Sequence, residues 1–108
     1  MTRVEISRKN GHIVRVYADG HTGYGVEGED IVCACLSSIL QTALIGLLKV
    51  AGIQPEYTIV ECSAVMEIKI PELSEKDRHN ADVILETMLC GIADLNEGYS
   101  DFIELEVK

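Results

Sequence analysis

The stretch GHTGYGVEGEDIVCACLS, residues 20–37, joins the end of one predicted strand to the start of the first predicted helix. It begins with Gly20 and His21, crosses a glycine-bearing loop, and reaches Cys33 just inside the helix. Asp30 suits an N-cap because its carboxylate can accept the unpaired N–H of Cys33, three positions on. A thiol in the first turn also faces the positive end of the helix dipole, which favours the thiolate form. The stretch has two interpretations: a nucleophilic Cys33 with His21 as the base that accepts its proton, or a buried structural cysteine, which is the commoner role of this residue type.

Two features of this stretch have more than one interpretation. The negative charge of Asp30 opposes a thiolate at short range, so we interpret Asp30 as a cap and orienter rather than an activator. The loop of residues 22–29 contains Gly23 and two further glycines. It is interpreted either as a lid that orders around a peptide or as an ordinary surface connection.

Upstream of this stretch, two alternating segments around Asn10-Gly11 predict a β-hairpin. A two-residue turn would place Ile6 opposite Arg15 on one face of the hairpin. We therefore expect an odd-length loop, with Gly11 in a left-handed bulge. His12, in or beside the turn, is interpreted as a solvated loop residue. The side chains expected to face the core are Val4, Ile6, Val14 and Val16.

Downstream, residues 31–51 predict a helix that ends at Gly52 and carries an apolar stripe wider than an amphipathic helix needs. Such a stripe predicts burial under a sheet or at a subunit contact. The element order ββαββαβ predicts an α+β fold with a small mixed sheet and two helices, in two layers or with a helix on each side of the sheet. The remaining predicted elements are strands at Tyr57–Cys62 and Val65–Ile70, a helix capped by Ser74 that ends near Gly98, and a strand containing Ile103, Leu105 and Val107.

Composition limits the classes of function. A chain of 108 residues is expected to form a single domain, residues 1–108. Charged residues interrupt its start, and the apolar region Ile39–Val50 is expected to be too short to cross a bilayer, so we expect a cytoplasmic protein with no membrane partner. With 18 acidic and 9 basic side chains, the net charge of −9 disfavours direct nucleic-acid binding and favours a basic protein partner.

The other cysteines do not predict a second site. Cys62 and Cys90 are interpreted as structural, and Cys35 as part of the apolar stripe. Cys33 and Cys35 lack the spacing of zinc ligands, and the sequence has no C-x-x-C redox motif. We therefore expect no metal and no cofactor.

The same stretch resembles the ribosomal-processing cysteine proteases, the Prp family, through the pattern G-H-x-G, a glycine-bearing loop and D-I-V-C-A-x-x-S. The resemblance covers the whole chain, although outside this motif it is one of pattern only. It implies that His21 and Cys33 are the catalytic pair. The residues that carry the motif are Gly20, His21, Gly23, Asp30, Ile31, Val32, Cys33, Ala34 and Ser37.

The family resemblance implies a cysteine endopeptidase that removes a short N-terminal extension from a large-subunit ribosomal protein, and it implies a homodimer. No third catalytic group is apparent, so we expect a Cys–His dyad, with Asp30 and Ser37, together with Gly20 and Gly23, as supporting residues. The alternative is a non-catalytic acidic module that binds a basic ribosomal protein during ribosome assembly.

Overall fold

The computed structural model describes residues 1–20, 31–60 and 64–108. The strands described there form a mixed sheet in the order β3-β4-β2-β1-β5, in which β1 and β5 are parallel and the other neighbours antiparallel. The predicted α+β fold in the order ββαββαβ is confirmed. The elements are β1 (Thr2–Lys9), β2 (His12–Asp19), α1 (Ile31–Ile45), a π-helical turn (Gly46–Val50), β3 (Glu56–Val60), β4 (Val65–Lys69), α2 (Glu75–Gly98) and β5 (Ile103–Val107).

Both helices cover the same face of the sheet, so the two-layer alternative is the correct one. The helices pack closely on each other at two glycines. A Cβ on Gly46 would lie 3.6 Å from the side chain of Ile84, and a Cβ on Gly91 would lie 3.6 Å from the side chain of Ile39. The sheet contributes apolar residues at alternate positions, while their strand neighbours are mostly charged. The buried apolar sheet residues beneath the helices are Val4, Ile6, Ile13, Val16, Ala18, Met66, Ile68 and Ile103.

The β1–β2 hairpin corrects the predicted odd-length loop. Asn10 and Gly11 alone form the turn, with φ of 54° and 81°, as a tight two-residue turn requires. The extra residue lies instead in β2, where the pairing shifts from Arg15 opposite Ser7 to Ile13 opposite Arg8. This bulge buries Ile13 and leaves Val14 half-buried. The predicted inward positions of Val4, Ile6 and Val16 are confirmed, and that of Val14 is wrong.

The first helix ends in a π-helical turn close to the predicted boundary. The N–H of Ala51 donates to the carbonyl of Gly46 at 2.9 Å, five residues back, and Gly52 follows with φ of 66°. The stripe is narrower than predicted, because Cys35 is exposed and Ile39 and Leu48 are only half-buried. The residues buried along this helix are Val32, Leu36, Leu40, Ala43, Leu44 and Leu47.

The same helical stretch, Ile31–Val50, has 20 residues and a mean hydropathy of 2.2, enough by length and composition to cross a membrane. The expectation that the apolar region is too short is therefore wrong on this criterion. The core helix of a compact domain passes the same test, and here one side of the stretch is buried against the sheet and α2.

A set of polar contacts fastens the hairpin turn to α2. Arg8 donates to both carboxylate oxygens of Glu86, and Nδ1 of His12 lies 2.7 Å from Oδ2 of Asp82. Arg78 bonds the same Asp82 carboxylate at 2.9 Å and the carbonyl of Ile13 at 2.9 Å. The interpretation of His12 as a merely solvated residue is therefore wrong. Its partner lies 70 positions away in sequence, where no local pattern reveals it.

The predicted start of α2 is confirmed in detail. The hydroxyl of Ser74 accepts a hydrogen bond from the N–H of Asp77 at 3.2 Å, so one of the unpaired N–H groups of the first turn is satisfied. The helix ends at Gly98, as predicted, and His79 lies exposed on it.

The ion pair between Arg8 and Glu86 generates a pH-dependent prediction. Its hydrogen bond from Arg8 lowers the pKa of Glu86, so the ionised carboxylate stabilises the fold at neutral pH and this contribution is lost as the pH falls through the lowered pKa. Because both side chains are partly exposed, Glu86→Gln should lower the free energy of unfolding by about 0.5–1 kcal/mol at pH 7 and by less in acid. Chemical denaturation across this pH range measures the difference.

The matched control is Glu104→Gln, at an exposed position on the polar face of β5. It should change the free energy of unfolding little at either pH. A Glu86→Gln effect that is equal at neutral and acid pH would contradict the assignment, because it would not follow the ionisation of this carboxylate.

Candidate active site

Cys33 lies in the first turn of α1 and is half-buried. The main-chain N–H groups of a first turn have no partner four residues back within the helix, and they point toward its N-terminal end. A negative charge at that end is stabilised by the helix dipole. The structure thus confirms that Cys33 lies at a helix start, and Ser37 follows it one turn later on the same side of the helix.

Gly20 lies just beyond the end of β2 and has a backbone that other residues rarely adopt. Its φ is 86°, and a Cβ at this position would lie 2.7 Å from the carbonyl oxygen of Met1. The hydroxyl of Thr2 donates to the carbonyl oxygen of Gly20 at 3.1 Å. The strand end that leads into His21 is therefore held against the first residues of the chain.

Gly20, Cys33 and Ser37 line one cleft of about 190 Å³. Its floor includes Leu36 and Met66, and the cleft lies between the first half of α1 and the β3–β4 hairpin. The described lining is mostly apolar, with Thr2 and Gln41 among its polar members. Its remaining described residues are Ala18, Leu40, Ile59, Val60, Ala64 and Val65.

Three of the predicted site residues, His21, Gly23 and Asp30, lie outside the described residues, as does Cys62. The structure brings Gly20, Cys33 and Ser37 to one cleft, and the contact between His21 and Cys33 stays a prediction. Within residues 1–20, 31–60 and 64–108, no three His, Cys, Asp or Glu side chains are grouped closely enough to hold a metal ion.

The structure corrects the interpretation of two other cysteines. Cys35, expected on the apolar stripe, is exposed, because it lies about 100° around α1 from its buried neighbour Leu36, on the side away from the buried Leu40. Cys90, expected to be structural, is exposed on α2. It neighbours Gly91, which faces α1, so its own side chain points away from that contact.

Sequence reasoning missed Thr2 and the β3 residues that line the cleft. In the sequence, Thr2 is one polar residue of an alternating strand and gives no sign of a special contact. Its hydrogen bond is to the carbonyl of Gly20, which lies 18 positions away in the chain. Ile59 and Val60 belong to an edge strand whose five residues are all exposed. Exposed apolar residues on an edge strand that shares a cleft with Cys33 indicate a binding surface. The sequence does not reveal this signal, because only the strand order of the folded sheet shows that β3 lies at its edge.

Comparison with known proteins connects this chain to one family. The family model for the cysteine protease Prp matches residues 1–104 of the chain. The ribosomal processing cysteine protease Prp of Staphylococcus aureus (strain NCTC 8325 / PS 47) is 28% identical over 109 residues, covering 100% of both chains. The protein of the same name from Bacillus subtilis (strain 168) is 26% identical over 83 residues, which cover 76% of this chain and 74% of that protein.

Solved structures give the same result. The crystal structure of an essential ribosomal processing protease Prp from S. aureus, in complex with a covalently linked product peptide, has a TM-score of 0.90 at 28% identity over 100% of both chains. A structure of S. aureus Prp with a substrate peptide has a TM-score of 0.86 at 27% identity, again over 100% of both chains. A Streptococcus mutans protein has a TM-score of 0.87 at 26% identity, covering 99% of this chain and 93% of that one. These similarities disfavour the alternative of a binding module without catalysis.

The exposures of the cysteines make the reactivity of Cys33 testable. Access alone would rank the exposed Cys35 and Cys90 ahead of the half-buried Cys33. If the helix start activates Cys33, iodoacetamide at neutral pH should nevertheless label Cys33 first, by about ten-fold or more in rate. Peptide mass mapping of a time course measures the order. Earlier labelling of Cys35 or Cys90 in the folded protein would contradict the assignment of the nucleophile.

Proposed function

The chain belongs to the Prp family of cysteine proteases, and from that premise we propose that it uses a Cys33–His21 dyad to remove a short N-terminal extension from a large-subunit ribosomal protein. The observation that carries the proposal is one cleft lined both by Cys33, at the start of α1, and by Gly20, the residue directly before His21. In the sequence His21 directly follows Gly20, and Ala18 of β2 lines the same cleft. Asp30, Gly23 and Ser37 are proposed as supporting residues.

In the proposed reaction His21 takes the proton of the Cys33 thiol, and the sulfur attacks the carbonyl carbon of the scissile peptide bond. The C–N bond then breaks, and the imidazolium of His21 gives its proton to the leaving amine. This leaves a thioester between Cys33 and the extension. Water, deprotonated by His21, attacks the thioester and releases the extension as an acid, so that both residues return to their starting state.

The charges and the shape of the described surface support a basic substrate with an apolar segment. Most of the described residues that line the cleft are apolar, which suits apolar side chains near the scissile bond. The face of the sheet that the helices leave uncovered carries more carboxylates than cations. Its acidic residues are Glu5, Asp19, Glu56, Glu67, Glu104 and Glu106, and its basic residues are Arg3, Arg15, Lys69 and Lys108.

We further propose that the chain acts as one domain, in the cytoplasm, as a homodimer joined through the outer face of α1. Two large apolar side chains on this part of the molecule, Ile45 and Val50, are 51% and 84% exposed. Exposed apolar groups are costly to hydrate, and an exposed apolar patch is a common contact surface. The proposal includes no nucleic-acid ligand, no membrane, no metal and no cofactor.

Replacement of the two catalytic residues tests the proposed reaction. Cys33→Ala removes one sulfur atom from a helix start and should leave folding intact, since alanine is a good helix former. It should abolish cleavage of the extended ribosomal protein and leave its binding in place. His21→Ala should lower kcat at least about 1,000-fold, because an attack by the neutral thiol lacks its base. Mass spectrometry of the products measures cleavage, and the matched control is Cys90→Ala.

Two outcomes would contradict the proposal. Cleavage that persists in pure Cys33→Ala protein would exclude Cys33 as the nucleophile. Binding without cleavage in the wild-type protein would favour the alternative of an assembly module. Binding should weaken as salt is added in either case, because an acidic protein that holds a basic partner depends on charges that salt screens.

The proposed dimer has its own test. Val50→Glu places a charge on the apolar surface and should raise the dimer dissociation constant at least about ten-fold, because an unpaired carboxylate resists burial. Sedimentation equilibrium measures the constant. Val107→Glu, on β5 where the side chain is 45% exposed, is the matched control and should leave it unchanged. A wild-type protein that stays monomeric at high concentration would contradict the proposal.

A further inference from the structure

Thr2 is a buried polar residue with a specific partner. It is 4% exposed, and its hydroxyl donates to the carbonyl oxygen of Gly20 at 3.1 Å. Its own backbone is fixed, since its N–H donates to the carbonyl of Phe102 at 3.0 Å in the turn before β5. The threonine is therefore a rigid donor, because both its main chain and its side chain are held.

The Gly20 carbonyl lies where the strand pairing has ended. The last β1–β2 pair at this end of the hairpin joins Arg3 to Asp19, so Gly20 is the first residue beyond it. Its φ of 86° and the closeness of the Met1 carbonyl, 2.7 Å from a Cβ at this position, leave no room for a side chain. The junction is thus held from two sides, by the Thr2 hydroxyl and by the Met1 main chain.

Covalent geometry extends this constraint by one residue. A peptide group is planar, so the direction of the Gly20 carbonyl also fixes the direction in which the chain enters residue 21. Thr2, Gly20 and Cys33 all line the same cleft. A hydrogen bond that orients the Gly20 carbonyl consequently constrains the direction in which the chain leaves this cleft-lining residue.

We propose that Thr2 is a positioning residue for catalysis, whose hydroxyl fixes the Gly20–His21 peptide so that the histidine is delivered to Cys33. The proposal rests on the proposed Cys33–His21 dyad. A purely structural role for Thr2 makes a different prediction, because loss of an internal hydrogen bond elsewhere lowers stability without changing the chemistry of a folded molecule. Thr2 is not assigned any contact with the reacting atoms.

The test compares Thr2→Val with Thr2→Ser. Valine has the shape of threonine but cannot donate, whereas serine keeps the hydroxyl. Thr2→Val should lower kcat for cleavage of the extended substrate by about 10-fold to 100-fold with KM nearly unchanged, because a displaced catalytic group lowers the rate of the chemical step. Thr2→Ser should recover most of the lost kcat. The matched control is Thr87→Val, which removes a threonine-to-carbonyl hydrogen bond of 2.6 Å on α2, outside the cleft.

A second readout does not need cleavage. Alkylation of Cys33 by iodoacetamide, followed from pH 5 to pH 9, reports how readily the thiolate forms beside its base. Thr2→Val should slow this reaction near pH 7 and leave the rate at pH 9 unchanged. Gly20→Ala should have the same effect, because its methyl group must displace the Met1 carbonyl or the Gly20 backbone. These measurements are made on folded protein, as judged by its thermal transition.

The outcomes separate this proposal from the proposed dyad. Wild-type kcat and a wild-type alkylation profile in folded Thr2→Val would overturn the role of Thr2. If His21→Ala loses cleavage in the same experiment, the proposed dyad is still supported. Full activity in His21→Ala would overturn both. Equal losses in Thr2→Val and Thr87→Val would show a general effect of stability and would also overturn the proposal.

Discussion

One face of the sheet must be removed from water, and only two helices are present in the described chain to cover it. Val4, Ile6, Val16 and Ile68 are fully buried on this face, so both helices lie over it and pack on each other. This arrangement determines where α1 begins. The first turn of α1 lies at one edge of the helical layer, beside the end of β2. The cleft lies at this edge, between the two elements.

The β1–β2 hairpin is fastened at both of its ends by polar contacts of different kinds. At the turn end, Arg8 and His12 bind carboxylates on α2. At the opposite end, Thr2 binds the Gly20 carbonyl. The contacts at the turn end are charged and partly exposed, whereas the contact at the opposite end is neutral and is made by the buried side chain of Thr2 at 3.1 Å. The neutral contact lies at the end that leads into the cleft.

The sequence predicted those features that depend on local pattern. Ser74 and Gly98 bound α2 because capping and termination are local chemistry, and Cys33 was expected at a helix start for the same reason.

Periodicity could not place the bulge at Val14, because a two-residue turn with a bulge and an odd-length loop bury nearly the same valines. Nor could it pair His12 with Asp82 or Thr2 with Gly20, since those contacts join distant parts of the chain. The exposure of Cys35 shows a further limit: an apolar run gives the width of a stripe only when the neighbouring elements are known.

The cations Arg3, Arg15 and Lys69 on the polar sheet face each have a carboxylate partner. Arg15 contacts both Glu5 and Glu67, and its guanidinium lies 4.9 Å from the ring centre of Tyr17. Asp19 and Glu5 both raise the pKa of Arg3, so this cation is also held by carboxylates of the same sheet. Cations engaged in this way are poor contacts for phosphate groups, because each would first have to give up a carboxylate. Under the proposed function, the carboxylates of this exposed face would instead attract a basic protein substrate over distances comparable with the screening length.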